Sequence, residues 1–218
     1  MNDIGDEVTD LFSAHRPKQI WCASGILHLP GFASTLDWQS QLKAITTQNP
    51  FRHMQTPGGR EMSAAMTSCG SVGWVSDGKG YRYSPTDPHT GANWPDMPDA
   101  MLEVAQRAAR AFGAAGYHPD ACLINRYIPG AKMGLHQDRD EADFSQPVVS
   151  LSFGATAQFM IGGPSRSDPT RVIQLEHGDA LVFGGDARLA YHGIKPLKSD
   201  INQPHGAERY CLTFRKAL

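Results

Sequence analysis

The chain has 218 residues, of which 40% are hydrophobic, and a formal net charge of −2. A chain of this length can bury a substantial core, so we expect a single domain spanning 1–218. The small negative charge excludes a strongly basic surface for non-specific binding, so any contact with nucleic acid must be local. The four cysteines lie far apart without a CxxC pair, which argues against a zinc ribbon and a disulfide framework.

The amino-terminal stretch MNDIGDEVTD is acidic and lacks the basic region and apolar core of a signal peptide. The sequence also lacks a run of about 18 consecutive apolar residues, the length needed to span a membrane. We therefore expect a cytoplasmic protein without membrane attachment, working as a monomer.

The first third of the chain predicts a strand or two followed by a helix. The run IWCASGILHLPGF at 20–32 predicts the strands, and the helix follows over about 35–48 with Ser34 as its cap. Residues 50–98 are rich in Gly, Pro, Ser and Thr, contain several aromatic residues and lack the periodicity of regular core elements. A long ordered loop of this kind is typically functional.

A second helix is predicted at about 98–113, with Pro98 near its first turn and Gly113 at its end. From residue 121 the pattern changes to short strands separated by turns. The expected strands are 121–127, 134–138, 147–153, 155–161, 171–177, 179–183, 189–194 and 208–215. Helices followed by about eight short strands indicate an α+β protein with an antiparallel sandwich or jelly-roll core, whose open mouth commonly holds a site.

A His-x-Asp triplet on its own is a weak signal, because this composition gives such triplets by chance, and two candidates lie at 136–138 and 177–179. The second triplet, 177–179, contains Gly178 between two strand-like runs and predicts a turn. The first triplet lies in GLHQDRDE at 134–141 and keeps the alternation of a strand. That alternation would put one set of polar side chains on one face and a second set on the other. The first set is His136, Asp138 and Asp140, and the second is Gln137, Arg139 and Glu141.

A histidine and an aspartate from one strand need a third ligand from elsewhere to hold a metal. His192 in LAYHGI is the best candidate, because the chain between it and Asp138 is long enough for several strands to bring it back. Two histidines and one carboxylate form the three-ligand face that binds non-haem Fe(II) and leaves positions open. Taken alone, His192 fits an ordinary core or surface histidine better than a metal ligand.

The carboxy-terminal run ERYCLTFR predicts a strand with two cations on one face. Alternation places Arg209, Cys211, Thr213 and Arg215 together, with apolar side chains on the opposite face. Two guanidinium groups suit a ligand with a carboxylate at each end. A dicarboxylate beside a three-ligand iron is the requirement of a 2-oxoglutarate oxygenase.

The run NRYIPGAKMGLHQDRDE, together with LEHGDALVFGGDARLAYHGI and RYCLTFR, resembles the AlkB family of Fe(II)/2-oxoglutarate dioxygenases, which repair alkylated nucleic acid. The resemblance extends upstream through FRHMQTPGGREMSAAMTSCG and GWVSDGKGYRYSPTDP, and so covers about residues 50–215. It implies N-terminal helices, a nucleotide-recognition lid at about 50–95 and a double-stranded β-helix (jelly-roll) catalytic core at about 115–218.

The resemblance also implies the site residues. Iron would be bound by His136, Asp138 and His192, and 2-oxoglutarate by Asn125, Tyr127, Arg209 and Arg215. We include Arg126, Cys211 and Thr213 among the residues expected at the co-substrate. Where the resembling enzymes usually carry Asn in an R-Y-N-L-T-F-R pattern, this chain has Cys211, a poor hydrogen-bond donor and an oxidisable sulfur.

The activity implied is O2-dependent hydroxylation of an N-methyl group on a base, with release of formaldehyde. The substrates implied are bases such as 1-methyladenine and 3-methylcytosine in single- or double-stranded DNA, with RNA as a further candidate, and a base in a helix would have to be flipped out. Residues expected at the substrate are Trp74, Tyr81, Arg82, Tyr83, Asp140 and Arg166. A flat aromatic ring such as Trp74 would stack on the cationic base, and Asp140 would offset its charge.

Two other classes of function are compatible with these patterns. One is a 2-oxoglutarate oxygenase that acts on a protein or a small metabolite, although the aromatic and basic segment at 70–85 argues against it. The other is a cupin-like metal-binding module without oxygenase activity. The pair of arginines at 209 and 215 argues against that class, because a bare metal module has no use for a dicarboxylate clamp.

Overall fold

The computed structural model describes residues 16–199 and 204–218. The predicted absence of a signal peptide concerns residues outside this part of the chain. The strands in chain order are β1 (Ile20–Ala23), β2 (Ile26–Leu29), β3 (Arg52–Gln55), β4 (Glu61–Gly70), β5 (Gly73–Asp77), β6 (Gly80–Ser84), β7 (Ala121–Tyr127), β8 (Met133–His136), β9 (Val148–Gly154), β10 (Ala157–Ile161), β11 (Arg171–Leu175), β12 (Ala180–Phe183), β13 (His192–Ile194) and β14 (Arg209–Arg215). The helices are α1 (Trp38–Gln48) and α2 (Asp99–Phe112).

The described strands form two main sheets and a separate hairpin. The large sheet has eight strands in the order β1-β2-β12-β9-β14-β7-β4-β3, and the small sheet has four in the order β11-β10-β13-β8. Strands β5 and β6 pair only with each other, as a two-stranded hairpin. All of these pairings are antiparallel. The arrangement confirms the predicted α+β fold with a jelly-roll core.

The large sheet is buried on both faces, which explains why its central strands are nearly continuous apolar runs. All seven residues of β9, VVSLSFG, are buried. Both helices pack on one face, where they cover side chains such as Leu151, Phe153 and Phe214. The other face packs against the small sheet through a second cluster that includes Phe159 and Phe183. The candidate site lies on this second face.

Both predicted helices are present, and the first begins later than predicted. Asp37 is its N-cap and accepts a hydrogen bond from the Ser40 amide at 3.3 Å, so the prediction that Ser34 caps it is wrong. The Ser34 hydroxyl instead donates to the Gly31 carbonyl within the preceding turn. The second helix ends where predicted, because Gly113 has a φ of 105° and takes the left-handed conformation that stops it. Neither helix is long and apolar enough to cross a membrane.

The prediction of an irregular segment over 50–98 is wrong for half of its length. Strands β3 and β4 belong to the large sheet, and β4 pairs with β7 from Ala65↔Arg126 to Gly70↔Ala121. The sequence of β4, EMSAAMTSCG, lacks alternation because its second half is buried on both faces. Small side chains such as Ser68 fill those positions. The division into a lid at 50–95 and a core at 115–218 stays a prediction, although β3 and β4 lie in the large sheet.

The second His-x-Asp triplet forms a turn, as predicted, with Gly178 at φ 79°. Its aspartate is nevertheless fully buried and is a structural hub. The Asp179 carboxylate accepts hydrogen bonds from both terminal nitrogens of Arg16, and from the backbone amides of Gly31 and Glu176. It also lies 2.9 Å from the Nε2 atom of His28. This carboxylate therefore holds the first strands to the turn between β11 and β12.

Candidate active site

Two adjacent strands of the small sheet bring the three predicted metal ligands together. His136 ends β8 and His192 begins β13, and the two residues are direct partners in the antiparallel register. Asp138 follows two residues after β8 ends, and its Oδ1 atom lies 3.8 Å from the Nε2 atom of each histidine. The possible ligand atoms all lie within 4.8 Å of one another. This spacing fits one metal ion bound between them.

Backbone carbonyls set the orientation of both imidazole rings. The Nδ1 atom of His136 lies 2.9 Å from the Gly134 carbonyl oxygen, and that of His192 lies 2.9 Å from the Ala190 carbonyl oxygen. A carbonyl can only accept, so the proton sits on Nδ1 and the Nε2 lone pair is free for a metal. Burial and the neighbouring His136 lower the pKa of His192 to about 4, which keeps it neutral and able to ligate.

The two carboxylate oxygens of Asp138 have different partners. Its Oδ2 atom accepts a hydrogen bond from the Nε atom of Arg215 at 2.8 Å and forms an ion pair with Nη2 at 2.7 Å, while Oδ1 faces the two histidines. Burial on its own would raise the pKa of Asp138, but Arg215 and the histidines lower it below its usual range. The group is therefore an anion with one oxygen available, as a divalent cation requires.

Sequence reasoning missed two members of a buried ion cluster around Asp138. Arg188 donates through Nη1 to the Asp138 carbonyl at 2.8 Å and through Nη2 to Glu141 at 3.1 Å. The Nε atom of Arg215 lies 3.4 Å from the Oε1 atom of Glu141. The prediction that Glu141 faces away from Asp138 is wrong, because β8 ends at His136 and strand alternation stops there. The partners are distant in sequence, so local pattern carries no signal for them.

The predicted co-substrate residue Arg209 begins β14, the strand that ends with Arg215. Arg209 is fully buried, and its Nη2 atom donates to the Ser152 hydroxyl at 3.1 Å. Its Nε and Nη1 atoms have no partner among residues 16–199 and 204–218, and neither does the Oδ1 atom of Asn125. Buried guanidinium nitrogens without partners are costly and indicate an anion that the protein binds. The Arg209 guanidinium also lies over the ring of Tyr127, 5.3 Å from its centroid.

Cys211 and Thr213 lie on the same face of β14 as Arg209. The Cys211 sulfur is 3.2 Å from the Ser150 hydroxyl and 3.6 Å from the Thr213 hydroxyl. Burial would raise the pKa of Cys211, but the nearby Arg209 and the two hydroxyls lower it. Two hydroxyl groups thus surround the thiol where the resembling enzymes carry an amide.

Arg126 does not lie with the predicted co-substrate residues, and its assignment there is wrong. Its side chain donates to Glu208 at 2.9 Å, and Glu208 also accepts from the Tyr210 hydroxyl. The reason is strand alternation, since Asn125 and Tyr127 point to one face of β7 and Arg126 to the other. Arg215 is on the expected face, but two of its nitrogens already contact Asp138.

The structure brings three of the predicted substrate residues together on the β5–β6 hairpin and the loop after β8. The rings of Trp74 and Tyr81 stack with centroids 5.6 Å apart, and the indole N–H of Trp74 donates to the exposed Asp140 at 2.8 Å. Arg82 instead pairs with Asp77 inside the hairpin.

The remaining two predicted substrate residues, Tyr83 and Arg166, make contacts outside this group. The hydroxyl of Tyr83 donates to Glu141 at 2.7 Å, inside the ion cluster. Arg166 donates to the Leu135 carbonyl at 2.7 Å, and its guanidinium lies 4.9 Å from the ring centroid of Tyr191.

Comparison with known proteins decides the family. The profile of the 2OG-Fe(II) oxygenase superfamily matches residues 25–215. The chain is also 49% identical to the alpha-ketoglutarate-dependent dioxygenase AlkB of Escherichia coli, over 95% of this chain and 97% of that protein. The chain belongs to the AlkB family of 2OG-Fe(II) oxygenases.

More distant AlkB-family members agree in sequence and in fold. The DNA N(6)-methyladenine demethylase ALKBH1C of Arabidopsis thaliana is 31% identical over 87% of this chain and 48% of that protein. The solved structure of OsALKBH1 is 29% identical, with a TM-score of 0.76, and the match covers 91% of this chain and 99% of that one. Fe(II) and 2-oxoglutarate are the metal and co-substrate of the superfamily, and the His-Asp-His group and the unpartnered Arg209 nitrogens fit them.

We expect Asp138→Ala to lower iron affinity by at least about 10- to 100-fold, the loss typical even for residues that only orient a metal ligand. The matched change in the other triplet, Asp179→Ala, removes a buried ion-pair partner and should destabilise the fold by about 3–5 kcal/mol without removing a metal ligand. Iron should be measured per folded chain after reconstitution. Equal iron loss in the two folded variants would contradict the choice between the triplets.

We expect Arg209→Lys to weaken 2-oxoglutarate binding by about tenfold or more, because a hydrogen bond to a charged group contributes about 1.5–3 kcal/mol and the fork geometry is lost. Arg126→Lys is the matched control, because Arg126 lies on the face of β7 opposite Asn125 and Tyr127, and it should leave the affinity for 2-oxoglutarate unchanged. Calorimetric titration of 2-oxoglutarate into the metal-loaded protein measures both. Parent-like affinity in the Arg209 variant would show that the co-substrate binds elsewhere.

Proposed function

We propose that this chain repairs alkylated nucleic acid by oxidative demethylation of N-methylated bases. His136, Asp138 and His192 bind Fe(II), and Arg209 binds 2-oxoglutarate beside them. The single observation that carries the proposal is the buried Arg209, whose Nε and Nη1 donors have no partner among the described residues, in a chain of the AlkB family that also has a complete three-ligand group. Membership of that family favours an oxygenase over the cupin-like metal module.

Bound at this site, Fe(II) and 2-oxoglutarate would supply the oxidising chemistry, in which one oxygen atom of O2 goes to the methyl group and the other to 2-oxoglutarate as it becomes succinate and carbon dioxide; the hydroxymethyl base would then lose formaldehyde. The protein supplies position and exclusion of water. The carbonyls of Gly134 and Ala190 hold the two imidazole rings with Nε2 facing the metal position. The rings of Phe159 and Phe183 pack on His192 with centroids 5.7 and 4.9 Å away, which keeps water from that side of the site.

The proposed base-binding surface consists of Trp74, Tyr81 and Asp140. The aromatic pair presents a flat face for stacking, and stacking of a base on an aromatic side chain contributes about 1–3 kcal/mol. Methylation makes bases such as 1-methyladenine and 3-methylcytosine cationic, so the exposed carboxylate of Asp140 would offset the charge that marks the lesion. A local surface of this kind explains how a chain of net charge −2 binds nucleic acid.

Methylated DNA is the proposed substrate, in single strands or as a base flipped from a duplex, because a stacked base cannot reach a buried metal. Arg166, whose side chain lies over Tyr191, would contact the substrate from the other side. Arg82 would contact the sugar-phosphate backbone from the hairpin. RNA as a further substrate, the monomeric state and the cytoplasmic location all remain predictions.

The direct test is mass spectrometry of methylated DNA and RNA oligonucleotides before and after incubation with the enzyme, Fe(II), ascorbate and 2-oxoglutarate. We expect loss of 14 mass units, one CH2 group, about one-to-one with the succinate formed on the preferred substrate. Free methylated nucleosides and histone-like peptides serve as competitors. Turnover of a peptide or a free metabolite, with methylated oligonucleotides unchanged, would favour the alternative oxygenase class.

A second experiment tests whether Asp140 senses the charge of the lesion. Asp140→Asn keeps an oxygen that can accept from the Trp74 N–H, so it removes the charge without breaking that contact. We expect turnover to fall about 2- to 5-fold on 1-methyladenine, the size of a solvent-exposed charge pair, with little change on neutral 1-methylguanine.

The control for this experiment is Asp143→Asn, which makes the same charge change at an exposed residue that bonds only with Ser145 among the described residues. It should leave the ratio of turnover on 1-methyladenine to turnover on 1-methylguanine unchanged. If Asp140→Asn slows both substrates equally, Asp140 supports the loop after β8 and does not read charge.

A further inference from the structure

The β5–β6 hairpin contacts the loop after β8 through two neighbouring side chains. Trp74 and Tyr83 are direct cross-strand partners, and such partners project from the same face of a hairpin. They bond to consecutive residues, since the Trp74 N–H donates to Asp140 and the Tyr83 hydroxyl donates to Glu141. The first contact is exposed and belongs to the proposed base-binding surface. The second is half-buried and reaches the ion cluster around the metal position.

The oxygens of Glu141 are shared among three donors. Oε1 accepts from the Tyr83 hydroxyl at 2.7 Å and lies 3.4 Å from the Nε atom of Arg215. Oε2 accepts from Arg188 at 3.1 Å. The Nε atom of Arg215 also donates to the Oδ2 atom of Asp138 at 2.8 Å. Arg215 is thus shared between the metal-ligand carboxylate and a carboxylate attached to the hairpin.

The positive and negative charges of this cluster are equal in number, and the protein encloses them. It consists of two arginines and two carboxylates, all less than a tenth exposed, namely Arg188, Arg215, Asp138 and Glu141. Charges in such an environment interact strongly, because little water screens them. A shift of Glu141 therefore changes the pull on Arg215, and with it the position of the Asp138 oxygen that faces the histidines.

We propose that Glu141 is a positioning residue, which links the seating of the β5–β6 hairpin through Tyr83 to the orientation of the metal ligand Asp138. The proposal rests on the proposed function and deepens it. When the hairpin is seated, Tyr83 holds Glu141, and Glu141 holds Arg215 in the place where it fixes Asp138. Turnover of 2-oxoglutarate is then coupled to demethylation of the base, because one connected group of residues sets both base binding and metal geometry.

Tyr83→Phe removes the hydroxyl and keeps the ring, so it breaks the link at one atom. The measurement is the ratio of demethylated bases to succinate formed on a single-stranded oligonucleotide that contains 1-methyladenine. We expect this ratio to fall about tenfold, the effect of one hydrogen bond to a charged group. Iron content per folded chain should stay at the parent value, because the contacts of Glu141 with both arginines remain.

Tyr210→Phe is the matched control, because it also deletes a hydroxyl that donates to a glutamate, at 2.6 Å, on the other face of β14. Its ratio should equal that of the parent. A Tyr83→Phe variant that couples like the parent, or that loses only thermal stability, would overturn the proposal. A parent enzyme that forms succinate but demethylates no oligonucleotide would instead refute the proposed function.

A double-mutant cycle with Glu141→Gln separates a connected group from two independent effects. If Glu141 transmits the effect, adding Tyr83→Phe to the Glu141→Gln variant should change the coupling ratio less than twofold further. If the coupling ratio of the double variant falls by the product of the two single-variant factors, the two residues act independently and the link is contradicted. If Glu141→Gln does not fold, the comparison of Tyr83→Phe with Tyr210→Phe still decides the question.

Discussion

The active site depends on the buried ion pair between Arg215 and Asp138. A carboxylate in this environment would tend to protonate without a cation, and a protonated Asp138 would be a poor metal ligand. The guanidinium contacts only the Oδ2 atom, so the remaining oxygen is left to face His136 and His192. Removing Arg215 would leave Asp138 buried without its guanidinium partner, and removing Asp138 would leave Arg215 with Glu141 alone, so either change is costly.

Strand β14 places Arg215 and the co-substrate residue Arg209 on one rigid element. It lies between β9 and β7 in the middle of the large sheet, hydrogen-bonded on both sides. Arg209 and Arg215 are six residues apart on it and therefore project from the same face. The distance between the co-substrate arginine and the arginine that holds Asp138 is thus set by the strand itself. The β5–β6 hairpin pairs with neither main sheet and contacts the ion cluster through the Tyr83 hydroxyl.

Sequence patterns predicted the parts of the site that lie on regular strands. Alternation in ERYCLTFR placed Arg209 and Arg215 on one face. The same rule on β7 puts Arg126 on the face opposite Asn125 and Tyr127, and so outside the co-substrate site. The rule failed for Glu141 because β8 ends at His136, after which the backbone direction depends on tertiary contacts. It failed for β4 because a strand buried on both faces shows no alternation. Buried ion clusters between distant segments leave no local pattern to read.

The most direct test of this account is a crystal structure with Mn²⁺ and 2-oxoglutarate bound. We predict that the metal is bound by the Nε2 atoms of His136 and His192 and by the Oδ1 atom of Asp138, with Oδ2 still on Arg215. One carboxylate of 2-oxoglutarate should contact the Nε and Nη1 atoms of Arg209. A metal bound through Oδ2, with the Arg215 contact broken, would contradict the central claim.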